Sequence, residues 1–397
     1  MTELPKVQHS KIHFMPRLVP PDAAEAKALK RERTRQAVAR LSAITAQRPE
    51  LGERLNRVVS FARSVRVSEY HLTNACNIRC QGCWFFEYGH ERETREMTDL
   101  TQLQAFVQQE VSQRRVNTAI LIGGEPVLVP ERIAVFKEHM NNVTISSNGL
   151  KRLPMEGFEN VGVAITLFAG GPLDDELRAI KPNGKRFEGL FETALRNYEG
   201  DHRGHYIYAL TEGGIAYVEE TVRKIRQAGN ALTLNYYTDY RADGTAPPPE
   251  QTQELLQEAL RVQALYPETV MCHPYTIRTL VTGASHWGEF GYAQCPSISV
   301  EHPAHAARLL NGNPFLPVFN TWAADMETLK FCCTSGHCEG CRDSQAVISW
   351  LLVSMEQFLD SAEQLQTWLE IAEMYWAQYF WSPYHRSVKG QTSAATA

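Results

Sequence analysis

At 397 residues the chain can form one large domain or a domain with extensions, and its 43% hydrophobic and 21% charged content is that of an ordinary globular protein. A net charge of −5 argues against general affinity for nucleic acid. No apolar run approaches the ~20 residues that span a bilayer, and a polar start broken by Pro5, Pro16, Pro20 and Pro21 lacks a signal-peptide pattern, so a cytoplasmic protein without a membrane partner is expected.

Residues 1–66 carry 14 Lys/Arg against 6 Asp/Glu, a surplus of 8 that leaves −13 for the remainder. The run Lys27, Lys30, Arg31, Arg33, Arg35 reads as a solvated helix face or a contact for an acidic partner or peptide. Residues 1–22 read as irregular. Ala37, Leu41 and Ile44 fall at helical spacing, so one or two helices cover residues 22–61.

Strands and helices then alternate, the pattern of a parallel sheet covered by helices. Strands are expected at 65–72, 118–122, 143–147, 161–168, 206–210 and 232–237, and helices at 98–112, 131–139, 187–198 and 215–228. Thr98 is expected to open the first of these helices, with Asp99 favourable in its first turn. Polar residues gather at the strand C-terminal ends, where parallel α/β folds place their active sites. Ala242-Asp243-Gly244 and Pro247-Pro248-Pro249 mark a linker, followed by a helix at 250–264. Residues 265–342 read as irregular and rich in Cys, His, Pro and Gly; residues 345–380 read as amphipathic helix with Trp350, Trp368 and Trp376 as packing material.

Nine cysteines without a secretion signal point to a reducing compartment, where clustered thiols bind metal more often than they pair. Cys76-x3-Cys80-x2-Cys83 directly follows the first strand and brings three soft thiolates to one point, which suits iron–sulfur chemistry. Three protein thiolates leave one iron of a four-iron cluster open. A zinc site is the alternative, but structural zinc usually takes four protein ligands in paired two-residue spacings. Gly123-Gly124-Glu125-Pro126 ends the second strand, and Ser146-Ser147-Asn148-Gly149 ends the third. Either could be a plain turn.

These three segments resemble the signatures of the radical S-adenosylmethionine (radical SAM) enzymes, with a similar element order over about residues 65–240. The resemblance implies an α/β fold: a partial (β/α)6 TIM-like barrel at 65–241, with a helical extension at 1–64, a linker and helix at 242–264, and C-terminal helices and tail at 345–397. It further implies that Cys76, Cys80 and Cys83 hold a 4Fe–4S cluster whose open iron binds the amino and carboxylate groups of S-adenosyl-L-methionine. Gly123, Gly124, Glu125 and Pro126 would meet the methionine amino group, Glu125 by accepting its hydrogen bond. Ser146, Ser147 and Asn148 would meet the ribose, and Thr166 would face the same pocket. Many members carry an aromatic residue immediately before the third cysteine; here that residue is Gly82, and Trp84 or Phe85 would take over the shielding. Tyr88 and Gly89 close the loop, and His90 reads as a solvent residue.

A second group, Cys332-Cys333-x4-Cys338-x2-Cys341 with Cys295 and Cys272 upstream, follows a hairpin-like stretch at 324–331. It is similar to the SPASM and twitch extensions, which implies a Cys-rich auxiliary domain at 265–344. One auxiliary 4Fe–4S cluster would be ligated by Cys295, one of Cys332 or Cys333, Cys338 and Cys341. Zinc remains the alternative, as Cys338-x2-Cys341 is also zinc spacing. Cys272 reads as a buried structural thiol.

Substrate contacts are expected from Asn235, Tyr237, Asp239 and Glu212, while His273, His302 and His305 carry no geometric argument. The expected activity is an oxidoreductase that cleaves S-adenosylmethionine reductively and abstracts hydrogen from a substrate C–H bond. The substrate is expected to be a small metabolite, or alternatively a peptide or protein side chain, and the reductant a flavodoxin or ferredoxin. A non-catalytic iron–sulfur or zinc-binding module is the reading from a different class.

Overall fold

The computed structural model describes residues 6–7, 23–237, 247–283, 297–303, 316, 318–332 and 341–378. Its frame is a run of six parallel strands: β2 (Val67–Thr73), β3 (Thr118–Gly123), β4 (Asn142–Ser147), β5 (Val161–Phe168), β6 (Gly204–Leu210) and β7 (Ala231–Tyr236). They pair in chain order, each with the next. Helices α4 (Leu100–Gln113), α5 (Pro130–His139), α6 (Gly171–Arg178), α7 (Leu190–Tyr198) and α8 (Val218–Gln227) occupy the crossovers. This is the α/β architecture expected from the alternation.

The sheet curls. Glu69 on β2 and Asn235 on β7 line one cavity of about 350 Å3. In a flat sheet these strands, five intervals apart, would stand roughly 24 Å from each other at about 4.8 Å per interval. The alternating residues of each strand therefore split into two environments. Tyr70, Leu72 and Leu121 are buried in the core outside the cavity, whereas Glu69, Ile120, Ile122, Thr144, Ser146 and Thr166 face the interior.

The structure departs from the expected boundaries at several points. Lys6–Val7 form β1, paired parallel to β9 (Thr328–Lys330), although residues 1–22 read as irregular. Asp99, not Thr98, caps α4, its Oδ1 accepting from Thr101 N at 2.8 Å and Gln102 N at 3.1 Å. Helix α6 lies inside a stretch for which no element is expected, and α10 (Pro274–Thr282) inside one read as irregular. The expected hairpin exists as β8 (Thr321–Trp322) and β9, and it continues the barrel's own sheet: β8 pairs with β2 and antiparallel with β9.

The N-terminal helices α1 (Ala23–Gln47) and α2 (Pro49–Ser64) pack beside the C-terminal helices α11 (Ser344–Val353) and α12 (Ala362–Ala377). Arg54 pairs with Glu373 at 2.7 Å, Arg40 with Asp360 at 2.7 Å, and Arg33 with Glu356. Part of the basic surplus thus meets acidic residues of the same chain. Trp350, Trp368 and Trp376 are buried as packing residues, Trp376 edge-on to Phe61 at 5.3 Å. Among the described residues no helix is long and apolar enough to cross a membrane.

Candidate functional site

The cysteine loop leaves the C-terminal end of β2 and is pinned by its backbone. Arg79 N donates to Ile180 O at 2.7 Å and Gln81 N to Leu177 O at 2.8 Å, tying the loop to the end of α6. Ile78 packs with Ala179 and Leu190 in a small apolar cluster that touches Cys76 and Cys80. Gly82 sits at φ 67°, in the left-handed region that a glycine adopts without strain, which gives a backbone reason for glycine before Cys83.

Cys76, Cys80 and Cys83 all line the cavity. Burial pushes the Cys76 and Cys83 thiols up to about 12, and the neighbouring Cys80 adds to both shifts. Burial raises the Cys80 thiol too, opposed by the Arg178 guanidinium that hydrogen-bonds it. Three crowded thiols of this kind become thiolates only when a positive partner joins them, and a metal cluster is such a partner. Among the described residues no three His, Cys, Asp or Glu side chains converge closely enough for a single metal ion.

Opposite the loop stands the end of β3. A side chain at Gly124 would place its Cβ 2.1 Å from Ala75 O, and one at Gly123, where φ is 128°, would lie 2.5 Å from Thr73 O. The absence of side chains lets the two strand ends touch, through Gly124 N to Thr73 O and Glu125 N to Ala75 O, each 2.8 Å. Both glycines line the cavity.

Glu125 is engaged by the chain's own backbone. It is 1% exposed, and its carboxylate accepts from Val127 N at 3.1 Å and Asn148 N at 2.8 Å. It braces β4 against the turn after β3 and does not line the cavity, and neither does Pro126. Burial raises its carboxyl against those backbone donors.

Ser146, Ser147 and Asn148 line the cavity from β4, and Thr166 from β5. Asn148 Nδ2 donates to Asn77 Oδ1 at 2.7 Å, joining this segment to the cysteine loop. Trp84, Phe85 and Phe86 form an aromatic wall where the sequence suggested only one or two such residues. His71 lies 5.6 Å from Trp84, and the Lys330 ammonium stands 4.7 Å over the indole. His90 is buried, not solvated, with Nδ1 2.8 Å from Glu93 Oε2.

Asn235 and Tyr237 line the cavity. Glu212 instead takes the Tyr236 hydroxyl at 2.9 Å and Thr252 Oγ1 at 3.0 Å, outside the cavity. His273 caps α10, and His302 is buried edge-on to Phe331 at 5.3 Å. Asp239, His305, Cys295, Cys333 and Cys338 lie outside the described residues. Cys332 and Cys272 are buried and Cys341 is half-buried; burial pushes the Cys272 thiol up to about 12, as suits a packing residue.

Cavity residues that carried no sequence signal include Glu69, Arg178, Asp343 and Gln345. Arg178 is 2% exposed and pairs with Asp174 at 3.0 Å. Asp343 caps α11 through Gln345 N at 3.0 Å, and Ser344 N donates to Asn235 Oδ1 at 3.0 Å, so this helix start closes the gap beside β7.

No family model and no curated protein matches the chain. Among solved structures it is similar to native anSMEcpe with bound AdoMet, at 14% identity and TM-score 0.43 over 59% of this chain and 71% of that one. It is similar to Streptococcus suis SuiB bound to S-adenosylmethionine, at 14% identity and TM-score 0.40 over 54% of this chain and 52% of the other. A third is HydG, a maturase of the FeFe-hydrogenase, at 10% identity and TM-score 0.36 over 82% and 74%.

Proposed function

We propose that this chain is a radical SAM enzyme acting on an unactivated C–H bond. A 4Fe–4S cluster with S-adenosyl-L-methionine would supply a reducing electron and, from it, a 5′-deoxyadenosyl radical able to abstract hydrogen. The observation that carries the reading is a convergence. Three thiols, the bare backbone of Gly123 and Gly124, and the polar strand end Ser146–Asn148 face one cavity at the C-terminal ends of adjacent parallel strands.

Each group has a task that its chemistry suits. Cys76, Cys80 and Cys83 are the donors for iron, with Arg178 adding positive charge beside Cys80. Gly123 and Gly124 offer close approach to the main chain. Asn148, held by Asn77 and by Glu125, presents a fixed polar edge. Trp84, Phe85 and Phe86 keep water from that side. The cavity volume of about 350 Å3 lies at the small end of the roughly 300–1,000 Å3 usual for ligand sites. S-adenosylmethionine would share this cavity with the substrate; a small metabolite is the substrate class we adopt, with a single peptide or protein side chain as the alternative. Flavodoxin or ferredoxin is the reductant class this chemistry calls for. One auxiliary cluster, on Cys332 or Cys333 with Cys295, Cys338 and Cys341, would favour a net oxidation.

Anaerobically reconstituted protein given S-adenosylmethionine and dithionite should release 5′-deoxyadenosine and methionine. Replacing Cys76, Cys80 and Cys83 together by Ala should abolish both products and lower the iron count by about four atoms per chain. A colourless wild-type protein that holds zinc and cleaves nothing would overturn the proposal.

A further inference from the structure

Glu69 is the one carboxylate that the barrel strands β2 to β7 send into the cavity. It sits four residues before Thr73, so strand rise places it about 13 Å below the rim from which the cysteine loop departs. Its neighbours in register are Ile120 on β3 and Thr321 on β8. It is 6% exposed, and its Oε1 is buried with no hydrogen-bond partner among the described residues. An unpaired buried carboxylate oxygen is costly and calls for a partner.

Two charges bear on it. Lys330 favours its ionised form, but the Lys330 ammonium is committed to His71 Nε2 at 3.3 Å and to the face of Trp84. Asp343, at the start of α11, faces the same cavity and opposes ionisation of Glu69. Asp343 is itself satisfied by Gln345 N and Asn235. Burial favours the protonated form of Glu69 throughout. Oε1 therefore lacks a donor, and a cation entering from the cavity would both fill that place and offset the burial that favours the neutral form.

We infer that Glu69 is the anchor for an ammonium group on the substrate, seated on the barrel floor beneath the cysteine loop. This deepens the proposed function and rests on it. The site selects a substrate bearing a primary amine: the ammonium bonds Glu69 Oε1, Asp343 adds negative potential, and Ile120, Ile122 and Ile207 contact the adjoining carbons. A neutral hydroxyl in the same place would supply one donor but no charge.

The test is titration calorimetry on the full-length wild-type protein, using n-butylammonium and its neutral counterpart n-butanol as probes. Wild type should bind n-butylammonium at least ten-fold more tightly, and Glu69→Gln, which keeps the side-chain shape, should remove that preference. Glu69→Met serves if the Gln variant fails to fold, with thermal melting reporting folding in each case. Equal binding of the two probes to wild type, or an ammonium preference that survives in a folded variant, would overturn the assignment. Repeating the titration with saturating S-adenosylhomocysteine separates the two possible sources of an amine. Retained binding supports a substrate ammonium, and displacement means that the cofactor's own amino group uses Glu69, which overturns it. Cleavage of S-adenosylmethionine by wild type is measured independently, so either result can fail without the other.

Discussion

Single positions carry the site in two different ways. Cysteine spacing is local, so Cys76, Cys80 and Cys83 could be picked out from the sequence alone. Glu69 could not, because a period of two says that a strand residue faces inward without saying what it meets there. Glu125 shows the opposite case: beside two glycines the sequence presents only a free carboxylate, whereas in the fold it also accepts from Val127 N and Asn148 N. Gly124 offers the sharpest test at this scale. Gly124→Ala would drive a Cβ to 2.1 Å from Ala75 O. Backbone on both sides leaves little room to relax, so destabilisation of about 2 kcal/mol is expected, with a lower melting temperature and reduced iron content after reconstitution. Unchanged stability and iron in this variant would show that the strand-end contact is not required.

Elements were legible where their period was strong. All six barrel strands and most covering helices fall within a few residues of the expected bounds, since long apolar-periodic runs leave little choice. Helix α6 was missed because it opens on Gly171 and Pro172 and buries a charged pair, Asp174 and Arg178, in place of an apolar stripe. The β8–β9 hairpin was foreseen, but its membership in the barrel sheet was not, because pairing partners over 240 residues apart leave no local trace. Caps are likewise side-chain decisions read one residue at a time. Asp99→Ala should cost α4 about 1 kcal/mol by leaving Thr101 N and Gln102 N without their acceptor. Thr98→Ala should cost only a few tenths of that. Chemical denaturation of both variants checks the assignment.

For the whole molecule, acid stability depends on carboxylates held below their ordinary range. Asp201 is buried, which alone would raise it, but Arg203 bonds it at 2.7 Å and holds it low. Glu96 is in the same position against Arg132 at 2.7 Å. Because their folded values are depressed, their stabilisation is complete above the unfolded carboxylate range near pH 4 and is lost as pH falls through the folded values. Asp201→Asn should destabilise by about 3 kcal/mol at neutral pH, by stranding a buried guanidinium, and should flatten the acid side of a plot of melting temperature against pH. A variant whose acid limb matches wild type would remove Asp201 from this account. The continuous sheet has a further consequence for how the protein is made. One edge of β2 receives Asn320 O and Thr321 across a gap of 252 residues, and Lys330 reaches His71 across 259. At about 5–20 residues per second a ribosome takes some tens of seconds to cover that interval. Through that time the strand bearing Glu69 is half-paired and the thiol loop is open to air and to other nascent chains. Synthesis in a low-oxygen culture, with chaperones that shield strand edges, should therefore raise the yield of intact protein.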